Sequence, residues 1–219
     1  MIKIIKINKS YRFQKNSQTL KTENGNILFV KRKKHAELII KEFLNGLKSR
    51  DSNSLLNLTL FSCNLSKNEI ELIKKKIIEL LNFDLLLYRS FDENELLEIM
   101  EKEFDPFLSE FENSFECNFE KIFSIIHSNK LKHVSFKSYL DKLDIFNLTT
   151  LYKLSSLTKS VILSYFFINK RINYKILYKL TNLEYDYQQK RWGVVEEHLI
   201  IKKDLIKIIK NISFFFKNI

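Results

Sequence analysis

The chain has little glycine and proline, with three glycines and one proline among its 219 residues. With so few glycines, neither of the common phosphate-binding loops, GxGxxG and GxxxxGK[ST], can be written anywhere in the sequence. An HExxH zinc motif and a GxSxG nucleophile elbow are also missing. These absences exclude the nucleotide, zinc-protease and serine-hydrolase sites that such motifs define.

Cysteine and long apolar runs are scarce too. Cys63 and Cys117 lie far apart and form no CxxC pair, so small core residues in a reducing compartment are expected. The longest apolar candidate, residues 160–168, falls short of the ~18–20 residues that cross a bilayer. The first nine residues alternate apolar and basic side chains and lack the continuous apolar centre of a signal peptide. We therefore expect an intracellular protein without membrane insertion.

The formal net charge of +11 raises the question of a nucleic-acid partner, because clustered cations release counterions from phosphates. Only six of the 37 cationic residues are arginines, the residue that makes bidentate phosphate and guanine contacts. The cations are spread over the whole length, and the densest run is residues 31–34. A solvated surface is the favoured interpretation, without a nucleic-acid partner, and a basic nucleic-acid-binding module is the alternative. The absence of a heptad repeat favours a monomer.

The first 30 residues have the pattern of antiparallel strands. Ile2, Ile4 and Ile7 are interleaved with lysines, and residues 27–30 form a second apolar run. Between them, Asn24-Gly25 is typical of a tight turn, because both residues tolerate positive φ. We predict two or three strands, which would be only marginally stable alone.

From residue 33 onward the apolar period becomes that of helices. Residues 33–48 carry apolar side chains near i, i+3, i+4 spacing, which predicts an amphipathic helix. Residues 50–62 are interpreted as a loop leading to a short buried segment. Ser66 and Glu69 form a capping box, and a helix is predicted after it. The apolar run at residues 83–89 fits either a buried strand or an extension of that helix.

A long helical region is predicted next. The acids at residues 92–95 favour a helix start, since they offset the positive end of the helix dipole. Pro106 should end or restart this helix, because proline removes a hydrogen bond and clashes with the preceding turn. A stripe recurring every four residues predicts core positions at Phe107, Phe111, Phe115 and Phe119.

These patterns together predict an α+β fold. A small N-terminal antiparallel β-containing domain over residues 1–89 would be followed by a C-terminal α-helical bundle over residues 90–219. A polar connection is expected at residues 128–135. Helices are then predicted at 138–144, 147–157, 159–168, 173–182 and in a tail to about residue 211.

Residues 183–198 depart from the general composition of the chain. They contain the only tryptophan, one of the three glycines and several acids. A stripe with four-residue spacing would run along one helix through Glu184, Gln188, Trp192 and Glu196. The polar members of such a stripe would need partners in an interior, whereas an interface combines an aromatic anchor with polar neighbours. On the residues alone, an interface and a core tryptophan beside solvated acids are equally open.

No residue pattern predicts catalysis, a cofactor or a metal. Glu196, Glu197 and His198 are adjacent, so on a helix their side chains point about 100° apart and do not converge on one ion. Glu184 and Asp186 diverge for the same reason, which favours surface acids over an acid–base pair.

Several motifs, in the same order, resemble those of the ATP12 family. The segment Tyr187-Gln188-x-x-x-Trp192-Gly193-x-x-Glu196 resembles the signature near the family's C-terminus. Upstream, the family's "DLLCYR", "WDPLL" and "TGSLIL" are matched by residues 84–89, 104–108 and 158–163. Residues 19–25 resemble the end of "LDGRxLKTPxG", and Glu42-Phe43 stands at the family's "EW". The resemblance covers about residues 17–200.

The chain departs from these motifs at several positions. The "GR" and the proline of the N-terminal motif are missing, and phenylalanine replaces tryptophan in "EW" and "WDP". The glycine of "TGS" is Lys159. These changes affect the β-containing part more than the C-terminal segment.

The resemblance implies a non-enzymatic assembly chaperone for the F1 sector of ATP synthase. It would bind the free F1 α subunit and cover surface that the β subunit later occupies. By the motif match, the expected partner-binding residues are Glu184, Asp186, Gln188, Trp192 and Glu196. Structural roles are expected instead for Asp84, Arg89 and Asp105, because a buried Asp and Arg near each other need pairing.

Overall fold

The fold begins with a small antiparallel sheet and continues as a series of helices. The computed structural model describes residues 2–44, 51–90, 93–123 and 134–219. The strands are β1 Ile2–Ile7, β2 Ser10–Lys15, β3 Gln18–Thr19 and β4 Phe29–Val30. This order confirms the predicted α+β fold class.

Ten α-helices and one short 3-10 helix follow within the described ranges. The first five helices are α1 Lys33–Leu44, α2 Leu55–Asn64, α3 Lys67–Leu81, α4 Asn94–Phe115 and α5 Val134–Lys142. The last five are α6 Ile145–Thr158, α7 Val161–Ile168, α8 Tyr174–Thr181, α9 Leu183–Trp192 and α10 Glu196–Asn218. The 3-10 helix, Leu85–Leu87, lies between α3 and α4. The predicted helix positions 45–48 and 92, and most of the predicted connection at 128–135, lie outside the described residues.

The chain forms two compact units. Unit 1 consists of Met1–Ile70, Asp144–Thr150 and Lys210–Ile219, and unit 2 of Glu71–Leu143 and Leu151–Ile209. Each unit is thus assembled from segments that are distant in sequence. The division into domains 1–89 and 90–219 stays a prediction.

The sheet of unit 1 is built around β2. Strand β1 pairs with β2 from Ile2 opposite Lys15 to Ile7 opposite Ser10, and both β3 and β4 pair with β2. The predicted turn before β4 is present: the Thr22 amide donates to the Asn26 carbonyl at 2.8 Å, and Gly25 has a φ of 78°.

Helix α2 occupies most of the stretch 50–62, for which the sequence predicts a loop leading to a short buried segment. The burial is confirmed, but the loop is much shorter than predicted. The Ser54 hydroxyl oxygen accepts a hydrogen bond from the Asn57 amide at 3.2 Å and caps the helix start. Six of the ten helix residues are buried, including Leu55, Leu58 and Ser62. A helix buried on several sides has no amphipathic period, which is why the apolar pattern does not reveal it.

Helix α3 begins as the sequence predicts. The Ser66 amide donates to the Glu69 carboxylate at 2.8 Å, and the Glu69 amide donates back to the Ser66 hydroxyl oxygen at 3.3 Å. These hydrogen bonds confirm the capping box. The Ser66 amide and the Ser66 hydroxyl both donate to the Glu69 carboxylate and lower its pKa. The apolar run after α3 is neither a strand nor a helix extension, because it forms the 3-10 turn and then one bridge between Tyr88 and Ile122.

Helix α4 continues through Pro106, so the prediction of a break there is wrong. The proline removes one backbone hydrogen bond, a cost of ~3 kcal/mol or more in a helix interior. The helix buries Leu96, Met100, Phe104, Leu108, Phe111 and Phe115, and each such burial contributes about 1.5–3 kcal/mol. Packing of this face therefore outweighs the lost bond. Of the predicted phenylalanine stripe, Phe107 is only half-buried, whereas the other three members are buried.

Asp84 is a fully buried carboxylate that holds the start of α7 in unit 2. It accepts hydrogen bonds from the amides of Val161 at 2.6 Å and Ile162 at 3.0 Å, and from the Ser160 hydroxyl at 2.8 Å. The Leu86 amide provides a fourth, at 3.0 Å. These donors include helix N-terminal amides that would otherwise lack partners.

The buried guanidinium of Arg89 pairs with Asp105 at 2.5 Å, and Lys121 holds the other Asp105 oxygen at 2.8 Å. Both cations keep the pKa of Asp105 below its ordinary value in spite of its partial burial, which acts in the opposite direction. The predicted structural role of Asp84, Arg89 and Asp105 is confirmed, with Asp105 as the arginine's partner.

Candidate functional site

Helix α9 carries the segment of acids and aromatic residues that the sequence singles out. Leu183 and Tyr187 are buried and fix its inner side. Two acids lie in its first turn and two cations in its last turn, as the helix dipole favours. Glu184, Tyr185 and Trp192 are exposed on the rest of the helix.

The helix ends at Gly193, which has φ 89° and ψ 173°. This backbone region is essentially restricted to glycine. No atom lies within 4 Å of the position where a Cβ would stand, so the backbone angle, and not packing, requires the glycine. A second helix, α10, then starts at Glu196. The predicted single stripe from Glu184 to Glu196 is wrong, because the two residues lie on different helices.

The five predicted partner-binding residues have different surroundings. Trp192 has 65% of its surface exposed, so it is not a core residue. Glu184 is exposed and accepts a hydrogen bond from the Gln188 side-chain amide at 3.2 Å. Glu196 is exposed in the first turn of α10, whereas Asp186 is half-buried in an ion pair with Lys202. Their role in binding stays a prediction.

Side-chain contacts fix α9 in unit 2. Arg191 pairs with Glu93 and donates to the Tyr187 hydroxyl at 3.0 Å. The same hydroxyl donates to Glu95 at 3.1 Å. The Arg191 guanidinium carbon lies 5.9 Å from the centre of the Trp192 ring, within cation–π range. These contacts orient the exposed tryptophan.

Further contacts connect α9 with α10. Lys202 of α10 binds the Asp186 carboxylate and also donates to the Gln189 side-chain oxygen at 2.8 Å. The Tyr185 and His198 rings meet edge to face with their centres 5.1 Å apart. Asp186 is thus already engaged within the chain, and its carboxylate positions α10.

Sequence reasoning missed the apolar residues that follow the tryptophan. Seven large apolar side chains are exposed between residues 185 and 201, and we call them the α9–α10 apolar surface: Tyr185, Trp192, Val194, Val195, Leu199, Ile200 and Ile201. One signal was available in the sequence. Three consecutive apolar residues at 199–201 cannot all face inward from one helix, since successive side chains point about 100° apart.

Metal binding and thiol chemistry have no support among the described residues. Within the described ranges, no group of three or more His, Cys, Asp or Glu side chains could hold a metal ion. Burial raises the pKa of Cys63 to about 11, so its thiol stays protonated near neutral pH. No helix of the described residues has the length and apolar character needed to cross a membrane.

The fold and these motifs agree with known proteins. The model of the ATP12 chaperone protein family matches residues 3–112. The chain belongs to the ATP12 chaperone family. Members of this family are chaperones and not enzymes, which confirms the non-enzymatic prediction. The matched residues end before α9, so the candidate site of this ATP12-family chain rests on the geometry above and on its own motif.

Individual relatives cover most of the chain. The mitochondrial protein atp12 of Schizosaccharomyces pombe is 28% identical over an alignment of 209 positions, which covers 88% of this chain and 72% of the relative. The crystal structure of Atp12 from Paracoccus denitrificans has a TM-score of 0.82 at 19% identity and covers 99% of this chain and 94% of that chain. A protein from Agrobacterium tumefaciens gives 0.83 at 19% identity, over 99% of this chain and 83% of that one. These structures share the fold.

Proposed function

We propose that this ATP12-family chaperone binds the free α subunit of the F1 sector of ATP synthase and prevents its aggregation until it pairs with β. The α9–α10 apolar surface is the observation that carries the proposal. Seven exposed large apolar side chains within 17 residues are unusual for a monomer surface and typical of an interaction site. An unassembled subunit has an apolar interface of its own, and the two surfaces would cover each other.

Charged groups beside the apolar residues would give the contact its specificity. Glu184, Glu196 and Glu197 are exposed and lie at the start of α9 or α10. Polar residues around an apolar centre set orientation and partner choice more than affinity. In this proposal Gln188 orients Glu184, and Asp186 acts indirectly by holding α10 through Lys202.

Trp192 is the proposed centre of the contact. Exposed tryptophans that become buried at interfaces commonly contribute about 2 kcal/mol or more to binding. Such a loss corresponds to roughly a 30-fold weaker affinity. The contacts that orient Trp192 in the free protein would reduce the entropy lost on binding.

The proposal is tested with isolated F1 α subunit, whose aggregation is followed by light scattering. Equimolar chaperone should suppress the scattering, and Trp192→Ala and Ile200→Ser should each lose most of this effect. Leu72→Ser is the matched control, because Leu72 is 56% exposed on α3 and lies outside the proposed surface. All three positions are exposed, so the variants should keep the wild-type thermal unfolding midpoint.

The outcomes separate the function from the surface. Scattering of the α subunit that is unchanged by equimolar wild-type protein contradicts the chaperone function itself. Suppression by Trp192→Ala equal to that by Leu72→Ser contradicts the proposed surface and leaves the function standing.

The compartment follows from the proposed partner. The chaperone would act as a monomer where F1 α is assembled, in bacterial cytoplasm or in the mitochondrial matrix. The relatives named above include a mitochondrial and a bacterial Atp12.

A further inference from the structure

The positive charge of the chain is concentrated in unit 1. By residue count, unit 1 has 16 Lys and Arg against 6 Asp and Glu, a formal charge of +10. Unit 2 has 21 against 20, a formal charge of +1. Unit 1 is therefore the part of the protein that attracts anions.

Most cations of unit 1 have no carboxylate partner. Among those that the structure describes, Lys31 pairs with Asp144 at 3.1 Å and Lys33 with Glu37 at 3.7 Å. Ten other lysines of unit 1 are exposed and form no ion pair with any described residue. Five of the ten belong to the sheet or its connections: Lys3, Lys6, Lys9, Lys15 and Lys21.

Strand β1 is a free edge of this sheet. Among the described residues it pairs with β2 alone, over all six of its residues, Ile2–Ile7. Apart from this ladder and a bond from the Ser10 hydroxyl to the Ile7 carbonyl, its backbone makes no hydrogen bond to the described chain. An edge strand has outward N–H and C=O groups that can pair with another strand.

The side chains of β1 select which strand could pair. Lys3 and Lys6 are exposed and would repel the same strand of a second copy, which is how natural edges avoid self-association. An acidic strand would be attracted instead, since its carboxylates would lie beside the unpaired lysines. Half-buried isoleucines between the lysines add apolar contact for alternate side chains of a partner.

We propose that β1 is a binding site for an extended acidic segment of a partner protein, which adds to the sheet as a further antiparallel or parallel strand. Backbone hydrogen bonds would provide affinity, and Lys3 and Lys6 of β1 would provide selectivity for Asp and Glu. None of these residues belongs to the α9–α10 apolar surface, so the site is independent of the proposed α-subunit contact.

A protein strand fits this surface better than a nucleic acid does. Binding of single-stranded nucleic acid relies on exposed aromatic rings that stack on bases, and on arginine. All aromatic residues described between positions 2 and 44 are buried or half-buried: Tyr11, Phe13, Phe29 and Phe43. The exposed cations of the sheet and its connections are lysines, since Arg12 of β2 is half-buried.

The test uses a fluorescein-labelled decapeptide of Val with Glu at every third position, the spacing of Lys3 and Lys6, and its binding to the full chain is followed by fluorescence anisotropy. A second peptide has the same sequence with N-methyl groups along both edges, which keeps the charge and removes the strand hydrogen bonds. We expect the N-methylated peptide to bind at least tenfold more weakly. Equal affinity of the two peptides would show attraction by charge alone and overturn the proposal.

Paired charge reversals test the position of the site. Lys3→Glu with Lys6→Glu should weaken the unmodified peptide at least tenfold. Lys33→Glu with Lys41→Glu changes the net charge of the same unit equally, on exposed positions of α1, and should change the affinity less than twofold. Equal losses in both variants overturn the proposal, as does tighter binding of a ten-residue oligothymidylate than of the peptide. Circular dichroism checks that each variant is folded.

Discussion

Asp84 and His35 are two fully buried ionisable side chains, one in each unit, and they are accommodated in opposite ways. Asp84 accepts four hydrogen bonds at the start of α7 and beside the 3-10 turn. His35 makes a single bond, from Nε2 to the Thr59 hydroxyl oxygen at 2.9 Å, and its Nδ1 has no hydrogen-bond partner among the described residues.

The hydrogen bonds determine the protonation of the histidine. The Thr59 hydroxyl hydrogen is donated to the Leu55 carbonyl at 2.7 Å, so the Thr59 oxygen must accept from His35, and Nε2 carries the proton. The His35 ring packs edge to face against the Phe215 ring, with the two ring centres 5.9 Å apart. Burial, with the charge of Arg32 as a smaller cause, lowers the pKa of His35 to about 4.

In Asp84, burial and hydrogen bonding shift the pKa of the carboxylate in opposite directions. Burial raises the pKa of Asp84 to about 6, although all four hydrogen bonds favour its ionised form. Asp84 organises several backbone groups at once, whereas His35 fills space as a neutral ring. We therefore expect Asp84 to determine stability through its contacts and His35 through its titration.

The largest effect is expected from Asp84→Ala, which should lower the free energy of unfolding by about 3–5 kcal/mol. The variant removes a helix cap, worth about 0.5–2 kcal/mol, and leaves several buried donors unsatisfied at about 1–3 kcal/mol each, partly relieved by water. Chemical denaturation measures the change. Asp84→Asn, which keeps the shape and one acceptor oxygen, should cost about half as much. A loss below ~1 kcal/mol in Asp84→Ala would contradict the assigned role.

A second effect concerns pH. Unfolded histidine titrates near pH 6.5, and folded His35 at about pH 4. Its contribution is fully present above pH 6.5 and is lost as pH falls toward 4, a change of about 3 kcal/mol. His35→Phe cannot titrate, so the stability of the wild type relative to this variant should fall by about that amount between pH 7 and pH 4. A difference that stays constant with pH would contradict the assigned protonation state.

Asp84 provides the matched opposite case. Its folded pKa lies above the value near 3.9 of an unfolded aspartate, so its ionisation reduces stability as pH rises from about 4 to 6. Relative to Asp84→Asn, the wild type should therefore gain stability on acidification. The two titrations largely cancel in the wild type, and only the pair of variants reveals them.

Much of the fold could be predicted because local signals and packing agree. The capping box at Ser66 and the turn at Gly25 involve neighbours in sequence, and both are present. Helix α2 and the passage of α4 through Pro106 could not be predicted. In both cases burial against distant segments determines the structure, and the local spacing of apolar residues does not reveal those contacts.

The candidate site was predictable in place but not in shape. Composition singled out residues 183–198, and Trp192 is exposed there. Four-residue spacing predicted one helical stripe, whereas α9 ends at Gly193 and α10 begins at Glu196. Exposure of Val194, Ile200 and Ile201 depends on which face α10 buries, and spacing alone does not determine that.

The smallest effect is expected from a substitution at Lys159, whose backbone lies beside Asp84. Lys159 has a φ of 57°, and its carbonyl accepts the Leu85 amide at 2.8 Å next to the buried carboxylate. A side chain in this left-handed region costs about 1 kcal/mol, whereas glycine adopts it freely. Lys159→Gly should therefore stabilise the fold by about 0.5 kcal/mol, after the greater freedom of glycine in the unfolded chain is subtracted. Lys159→Ala, measured by the same denaturation, should not stabilise, because alanine keeps the Cβ that creates the strain. Equal stability of the glycine and alanine variants would mean that the carbonyl position, and not the φ angle, limits this turn.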